Sequence, residues 1–162
     1  MDFTIRNIQP QGNPFIAAII RSVLEEFAAN KPGTVYYDAT TDELFELFQH
    51  QPNAAYFIAE NKNEVLGGGG IFPTEGLPSD TCELVKMYLS PFARGQGIGK
   101  ALIEKNITTA KELGYKKMYL ETMPELKQAL QRYEKFGFVY LPAPMGNSGH
   151  TGCDIWMMKE LK

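Results

Sequence analysis

Cysteine is scarce in this 162-residue chain. Cys82 and Cys153 are too few for a disulfide framework, which points to a reducing compartment and to a core that holds without cross-links. An excess of positive charge is also missing. The chain carries 16 Lys and Arg against 19 Asp and Glu, a net charge of −3, and no long cationic cluster offsets it, so a nucleic-acid-binding surface is not expected. Long apolar runs are absent too. Phe15 to Ile20 is the longest near the N-terminus, far too short to cross a bilayer, and no basic segment followed by an apolar core resembles a signal sequence. The expectation is a cytoplasmic protein with neither membrane nor nucleic acid as partner. Internal repeats, low-complexity blocks and linkers are lacking as well, so residues 1–162 read as one domain, large enough to bury a substantial core.

What is present is an ordered alternation of elements. Phe3 to Ile8 alternates apolar and polar residues as a strand does, and Ile16, Ile19, Ile20, Val23, Leu24 and Phe27 then fall on one helical face. Pro32 and Gly33 stop that helix, and a loop with adjacent tyrosines, Tyr36 and Tyr37, follows. Thr40 and Glu43 have the spacing of a capping box before a short helix carrying Leu44, Leu47 and Phe48. Ala54 to Ala59 and Val65 to Phe72 read as a hairpin turning at Asn61 to Glu64. Four consecutive glycines, Gly67 to Gly70, inside its second strand suggest a bulge or a close approach of another backbone or a ligand.

Leu84 to Leu89 is a short apolar run interrupted by one lysine, Lys86, and bounded by Ser90 and Pro91, as in a buried strand. A glycine-rich turn and a helix over Ile98 to Leu113 come next. Gly114 ends that helix, and Lys117 to Glu121 is the following strand. Thr122 and Glu125, with Pro124 between them, suggest the start of a helix whose apolar face holds Leu126, Ala129, Leu130, Tyr133 and Phe136. Phe138 to Leu141 and the segment around Ile155 to Met158 read as the last strands. The order is β-α-α-β-β-β-α-β-α-β-β.

Strand, glycine-rich turn and helix in sequence place several backbone N–H groups at a helix N-terminus, where unpaired donors and partial positive charge suit a phosphate or pyrophosphate. The Walker A pattern fails because Ala101 follows Lys100, and the dinucleotide pattern fails because Lys100 stands where a third glycine is needed. What fits is Arg-x-x-Gly-x-Gly at Arg94, Gly97 and Gly99. This stretch resembles the coenzyme A pyrophosphate loop of the GCN5-related N-acetyltransferase (GNAT) superfamily. The segment Tyr133 to Phe138 is similar to that family's Tyr-x-x-x-Gly-Phe motif, with Ala129 four residues upstream, and the order of elements agrees from about Phe3 to Leu161. One position departs from the family pattern: Leu126 replaces an asparagine often found seven residues before the tyrosine.

The resemblance implies an α/β fold with a mixed, mostly antiparallel sheet splayed between its fourth and fifth strands and flanked by helices. It implies acetyl-CoA as co-substrate, its pantetheine lying in the splay like an added strand against the backbone of Met87 and Leu89. Arg94, Gly95, Gln96, Gly97, Ile98 and Gly99 would line the pyrophosphate, and Lys100 could add a charge. An acetyl group would pass to a primary amine of a small molecule, amino acid or peptide by direct attack in a ternary complex. Glu83 is the implied general base, met otherwise as a strand-end carboxylate facing water or Lys86. A central-strand N–H, that of Met87, would meet the oxyanion, and Tyr133 would be the acid at the leaving sulfur.

Tyr36, Tyr37, Glu75 and His150 are candidates for the acceptor pocket, and His150 for a second base. His150 and Cys153 have metal-like spacing, but His50 and Cys82 are the chain's only other histidine and cysteine, so no metal is expected. A non-catalytic acyl-CoA sensor, or transfer of another acyl group, would use the same loop. A homodimer is compatible with the apolar last strand.

Overall fold

The computed structural model describes residues 2–62 and 64–162. Among them the strands are β1 (Thr4–Asn7), β2 (Ala55–Glu60), β3 (Val65–Phe72), β4 (Thr81–Leu89), β5 (Lys117–Thr122), β6 (Val139–Leu141) and β7 (Ile155–Glu160), and the α-helices are α1 (Asn13–Glu26), α2 (Leu44–Gln49), α3 (Ile98–Glu112) and α4 (Lys127–Lys135). The seven strands form one sheet in the order β1-β2-β3-β4-β5-β7-β6. Every pairing is antiparallel except that of β4 with β5. The element order matches the sequence reading, and the mixed sheet flanked by helices is the expected fold.

Both faces of the sheet are covered. Ile16, Ile20 and Leu24 of α1 pack with Leu44 and Phe48 of α2 on Tyr56 and Ile58. Ile103 and Ala110 of α3 and Tyr133 of α4 belong to a second cluster with Met118, Leu120 and Met157. The i, i+4 spacing within each helix puts these side chains on one face.

Two expected helix starts are not built as their sequences suggested. The box at Thr40 and Glu43 does not form, because a 3-10 turn occupies Ala39–Asp42. The N-terminus of α2 is instead capped from outside, where Asn13 Oδ1 accepts from the Phe45 N–H at 2.9 Å. Helix α4 starts at Lys127 rather than beside Pro124, with no side-chain cap, and Glu125 is drawn into an ion pair with Lys31. At the hairpin turn, Asn63 lies outside the described residues; Asn61 N–H donates to the Glu64 carbonyl at 3.1 Å.

The glycine run has a definite cause. Residues Gly68 and Gly70 pair with Tyr88 and Val85, so the β3–β4 register shifts between them, and β4 bulges at Lys86 and Met87 opposite Gly69. Lys86 takes φ 51°, a left-handed conformation rare for a residue with a side chain. The Tyr56 ring lies across the glycines that flank the bulge. A Cβ on Gly68 would stand 2.8 Å from Tyr56 Cε1, and one on Gly70 2.6 Å from Tyr56 Cδ2. A Cβ on Gly69 would meet Met87 Sδ at 2.5 Å. Glycine is needed here for close approach, not for turning.

Just before the bulge the sheet divides. Strand β5 pairs with β4 only from Thr81 to Glu83, although it stays paired with β7 along all six of its residues. Glu83 is therefore the last β4 residue in register with β5, and the gap between the strands opens from Leu84 onward.

Candidate active site

The gap is an open cleft. Leu84, Met87 and Leu89 line it from β4, Leu120 and Thr122 from β5, and Tyr133 from α4. At one end lies the glycine-rich turn. Gly95 and Gly97 have φ of 75° and 81°, and Gly97 is the N-cap of α3. The turn exposes the N-terminal amides of a fifteen-residue helix, with Ile98 and Gly99 buried behind it. Positive φ at two glycines and a helix N-terminus together make an anion-binding concavity.

The side chains around this turn have separate tasks. Arg94 donates two hydrogen bonds to Glu26, each 2.8 Å, and lies over the Phe27 ring at 5.1 Å, which fastens the loop to the end of α1. Gln96 Nε2 donates to the Phe92 carbonyl at 2.6 Å. Lys100 is largely exposed and faces Glu104 one turn on, at 3.9 Å. A cation that the motif did not reveal is closer to the helix start. A Cβ on Gly99 would be 2.7 Å from Arg132 Cζ, so the guanidinium lies flat against the first turn of α3, and Arg132 also lines the cleft. Its only sequence signal was its place next to Tyr133.

Tyr133 is 7% exposed. Burial pushes its hydroxyl up to about 12, and its ring packs edge-on to Phe138 at 5.8 Å between centroids. Leu126, at the position where the family pattern often has asparagine, adds an apolar wall to the same cleft.

On the other side of the bulge lies a polar pocket shared by Asp38, Thr74, Glu83, Lys86, Ser148 and His150. Glu83 is 3% exposed and accepts a 2.7 Å hydrogen bond from Thr74. Burial, reinforced by the charge of Glu121, raises its carboxyl to about 7, while Thr74, His150 and Lys86 pull in the other direction. A carboxyl poised near neutrality inside a pocket is the property a general base needs. Asp38 is held well below the usual carboxylate range, above all by His150, whose Nε2 is 2.9 Å from Asp38 Oδ2, and also by Thr40. Glu121 accepts from Ser148 and from Tyr119.

Among the expected pocket residues, His150 and Glu75 line this space. Tyr36 and Tyr37 are not among its lining residues. The Tyr36 hydroxyl donates to Glu25 at 2.7 Å on the outside of α1, and Tyr37 is 64% exposed. Tyr36 packs partly against the α1 core cluster, and Asp38, which follows the 3-10 turn at Val35–Tyr37 and to which the sequence reading gives no role, lines the pocket. The sequence reading gives Lys86 only the place of a possible partner of Glu83, and gives Glu121 no role. A lone lysine in an apolar strand was the available signal for the first.

A family profile described as "Acetyltransferase (GNAT) family" matches residues 20–138. The chain belongs to the GNAT acetyltransferase family. It is 43% identical over 159 residues to an uncharacterized N-acetyltransferase, YjgM, of Escherichia coli K12, covering 97% of this chain and 94% of that one. Its fold is similar to that of a GNAT-family acetyltransferase from Staphylococcus aureus Mu50, with a TM-score of 0.84, 22% identity, and coverage of 99% of this chain and 100% of that one. It is also similar in fold to YncA, a putative acetyltransferase from Salmonella typhimurium solved with acetyl-CoA, with a TM-score of 0.72, 17% identity, and coverage of 100% and 95%. Among the described residues, no helix is long and apolar enough to cross a membrane.

Proposed function

We propose that this acetyltransferase moves an acetyl group from acetyl-CoA to the primary amine of an acceptor, by direct attack while both are bound. The observation that carries the proposal is Glu83: buried, near-neutral in its proton affinity, and placed where β4 and β5 part. The donor fits the cleft on the chain's own features. The β4 edge beyond Glu83 lacks a β5 partner, so the backbone of Met87 and Leu89 can pair with pantetheine amides. The α3 N-terminus, Gly95, Gln96, Gly97, Ile98, Gly99 and Arg132 suit the pyrophosphate.

In this reading Glu83 accepts the proton of the acceptor's ammonium, directly or through one water, and frees the lone pair for attack. The Met87 N–H meets the charge that develops on the thioester oxygen. Tyr133 donates a hydrogen bond to the departing sulfur. A hydroxyl near 12 is too weak an acid to protonate a thiolate of ordinary pKa about 8.5. The same apolar cleft, however, raises the proton affinity of any thiolate formed in it, which narrows the gap.

The test is thiol release from acetyl-CoA with no acceptor and then against matched amines, amino acids and peptides. Acceptor-dependent release is expected. Tight acetyl-CoA binding with no release for any amine would contradict the transferase reading, and acceptor-dependent release from longer acyl-CoAs in preference would displace acetyl as the group transferred.

A further inference from the structure

The polar pocket has two groups whose bonding capacity is left over. Asp38 is saturated by His150 and by the hydroxyl and N–H of Thr40, and Glu121 by Ser148 and Tyr119. Glu83, in contrast, has only one of its oxygens engaged, by Thr74. Lys86 has less still. Its side chain is 5% exposed, and its one ionic contact, to Asp38 Oδ2, is 3.8 Å, longer than a hydrogen bond. Burial lowers its pKa, whereas Asp38 and Glu83 raise it. A nearly buried ammonium held by one long ionic contact is only partly compensated, and its backbone stands at φ 51° in the bulge.

Lys86 also has a singular position. It lines both the cofactor cleft and the polar pocket, three residues from Glu83 on the same strand and electrostatically coupled to it. We propose that Lys86 binds the carboxylate of the acceptor, so that the acceptor is a small molecule carrying both amine and carboxylate: an amino acid or an amino-acid-like compound. This rests on the transferase reading above. The ligand's amine satisfies Glu83, its carboxylate completes the shell of Lys86, and Leu47, Phe48, Phe72 and Val85 give the pocket an apolar wall for a side chain. Such a ligand adds one charge of each sign to two groups that have one partner each, Thr74 for Glu83 and Asp38 for Lys86. A simple alkylamine or a polyamine would satisfy Glu83 and leave the Lys86 ammonium with only its long contact to Asp38.

The experiment compares matched acceptors, each amino acid against its carboxamide and its decarboxylated amine, by thiol release with the full chain and with Lys86→Met. The parent is expected to favour the carboxylate in kcat/KM by about 10- to 100-fold, the range of a charge-assisted hydrogen bond. In Lys86→Met that preference should fall to within about 3-fold, mainly through the KM of the carboxylate. Equal rates on acid and amide in the parent, or an undiminished preference in Lys86→Met, would overturn the assignment. The parent comparison does not depend on how well the variant folds. Turnover of amides and amines but not of amino acids would overturn the carboxylate site while leaving the transferase intact. Release with no member of any pair would overturn the transferase reading and this assignment with it.

Discussion

The Tyr56 hydroxyl donates a 2.7 Å hydrogen bond to the carbonyl of Lys86, across two intervening glycines of the neighbouring strand. One buried side chain thus fixes the only β4 residue with positive φ. The bulge made there lies two residues beyond the point where β4 and β5 part, and its Lys86 lines both the cleft and the polar pocket.

Gly70→Ala tests this packing. The new methyl would stand 2.5 Å from the Ala55 carbonyl oxygen as well as 2.6 Å from the Tyr56 ring, and neither can yield cheaply. A loss of about 3 kcal/mol in denaturant unfolding is expected from such overpacking. Tyr56→Phe, which keeps the ring and strands the Lys86 carbonyl, should cost about 1–3 kcal/mol. Unfolding midpoints equal to the parent's in both would mean the bulge is held by something else.

Arg132 should matter to donor binding rather than to chemistry. Its guanidinium rests on the first turn of α3, beside the amides suited to the pyrophosphate. Arg132→Met is expected to raise the KM for acetyl-CoA about 10-fold with kcat nearly preserved, the signature of an interaction made equally in ground and transition states. A fall in kcat at constant KM would place Arg132 elsewhere in the reaction.

Tyr133→Phe should show the opposite pattern. Its ring packs with Phe138 and the residue lines the cleft, so removing the oxygen should leave the fold and acetyl-CoA affinity close to the parent's. A drop in kcat of about 10²-fold is expected for loss of a positioned acid. Parent-like turnover would remove Tyr133 from that role.

The fold was legible because its elements are locally consistent. Ile16, Ile20, Val23 and Leu24 declare a helix face, and Arg94, Gly97 and Gly99 mark the glycine-rich turn that starts α3. The polar pocket was less legible for a physical reason. Asp38, Lys86 and Glu121 come from three distant segments, and only the sheet register and the bulge bring them together. The same bulge explains the run Gly67 to Gly70, whose meaning lies in a ring contributed by Tyr56 rather than in any local conformational need. An aromatic pair in a loop looks like a pocket wall, but neither Tyr36 nor Tyr37 lines the polar pocket, and the Tyr36 hydroxyl donates to Glu25.

Glu83 should also leave a trace in stability. Its carboxyl holds a proton up to about pH 7 in the folded chain, against an ordinary value of 4.5. Between those values the native state binds more protons than the unfolded one. The contribution is therefore whole below about 4.5 and lost as pH rises through 7. The span corresponds to a cost on the order of 3 kcal/mol at pH 8. Glu83→Gln should be more stable relative to the parent at pH 8 than at pH 5. A stability difference independent of pH would mean that Glu83 is ionised in the folded chain across that range.

The most direct test of the account is the pH dependence of acceptor kcat/KM in the parent and in Glu83→Gln. The parent should lose activity about tenfold per pH unit below about 7 and level off above it, as Glu83, in the field of Glu121, His150 and Lys86, becomes the carboxylate. Glu83→Gln should be reduced about 10²-fold near pH 7.5, and its profile should climb instead toward the acceptor's own amine pKa. A variant profile parallel to the parent's, with the same break near 7, would assign that titration to another group and contradict Glu83 as the base.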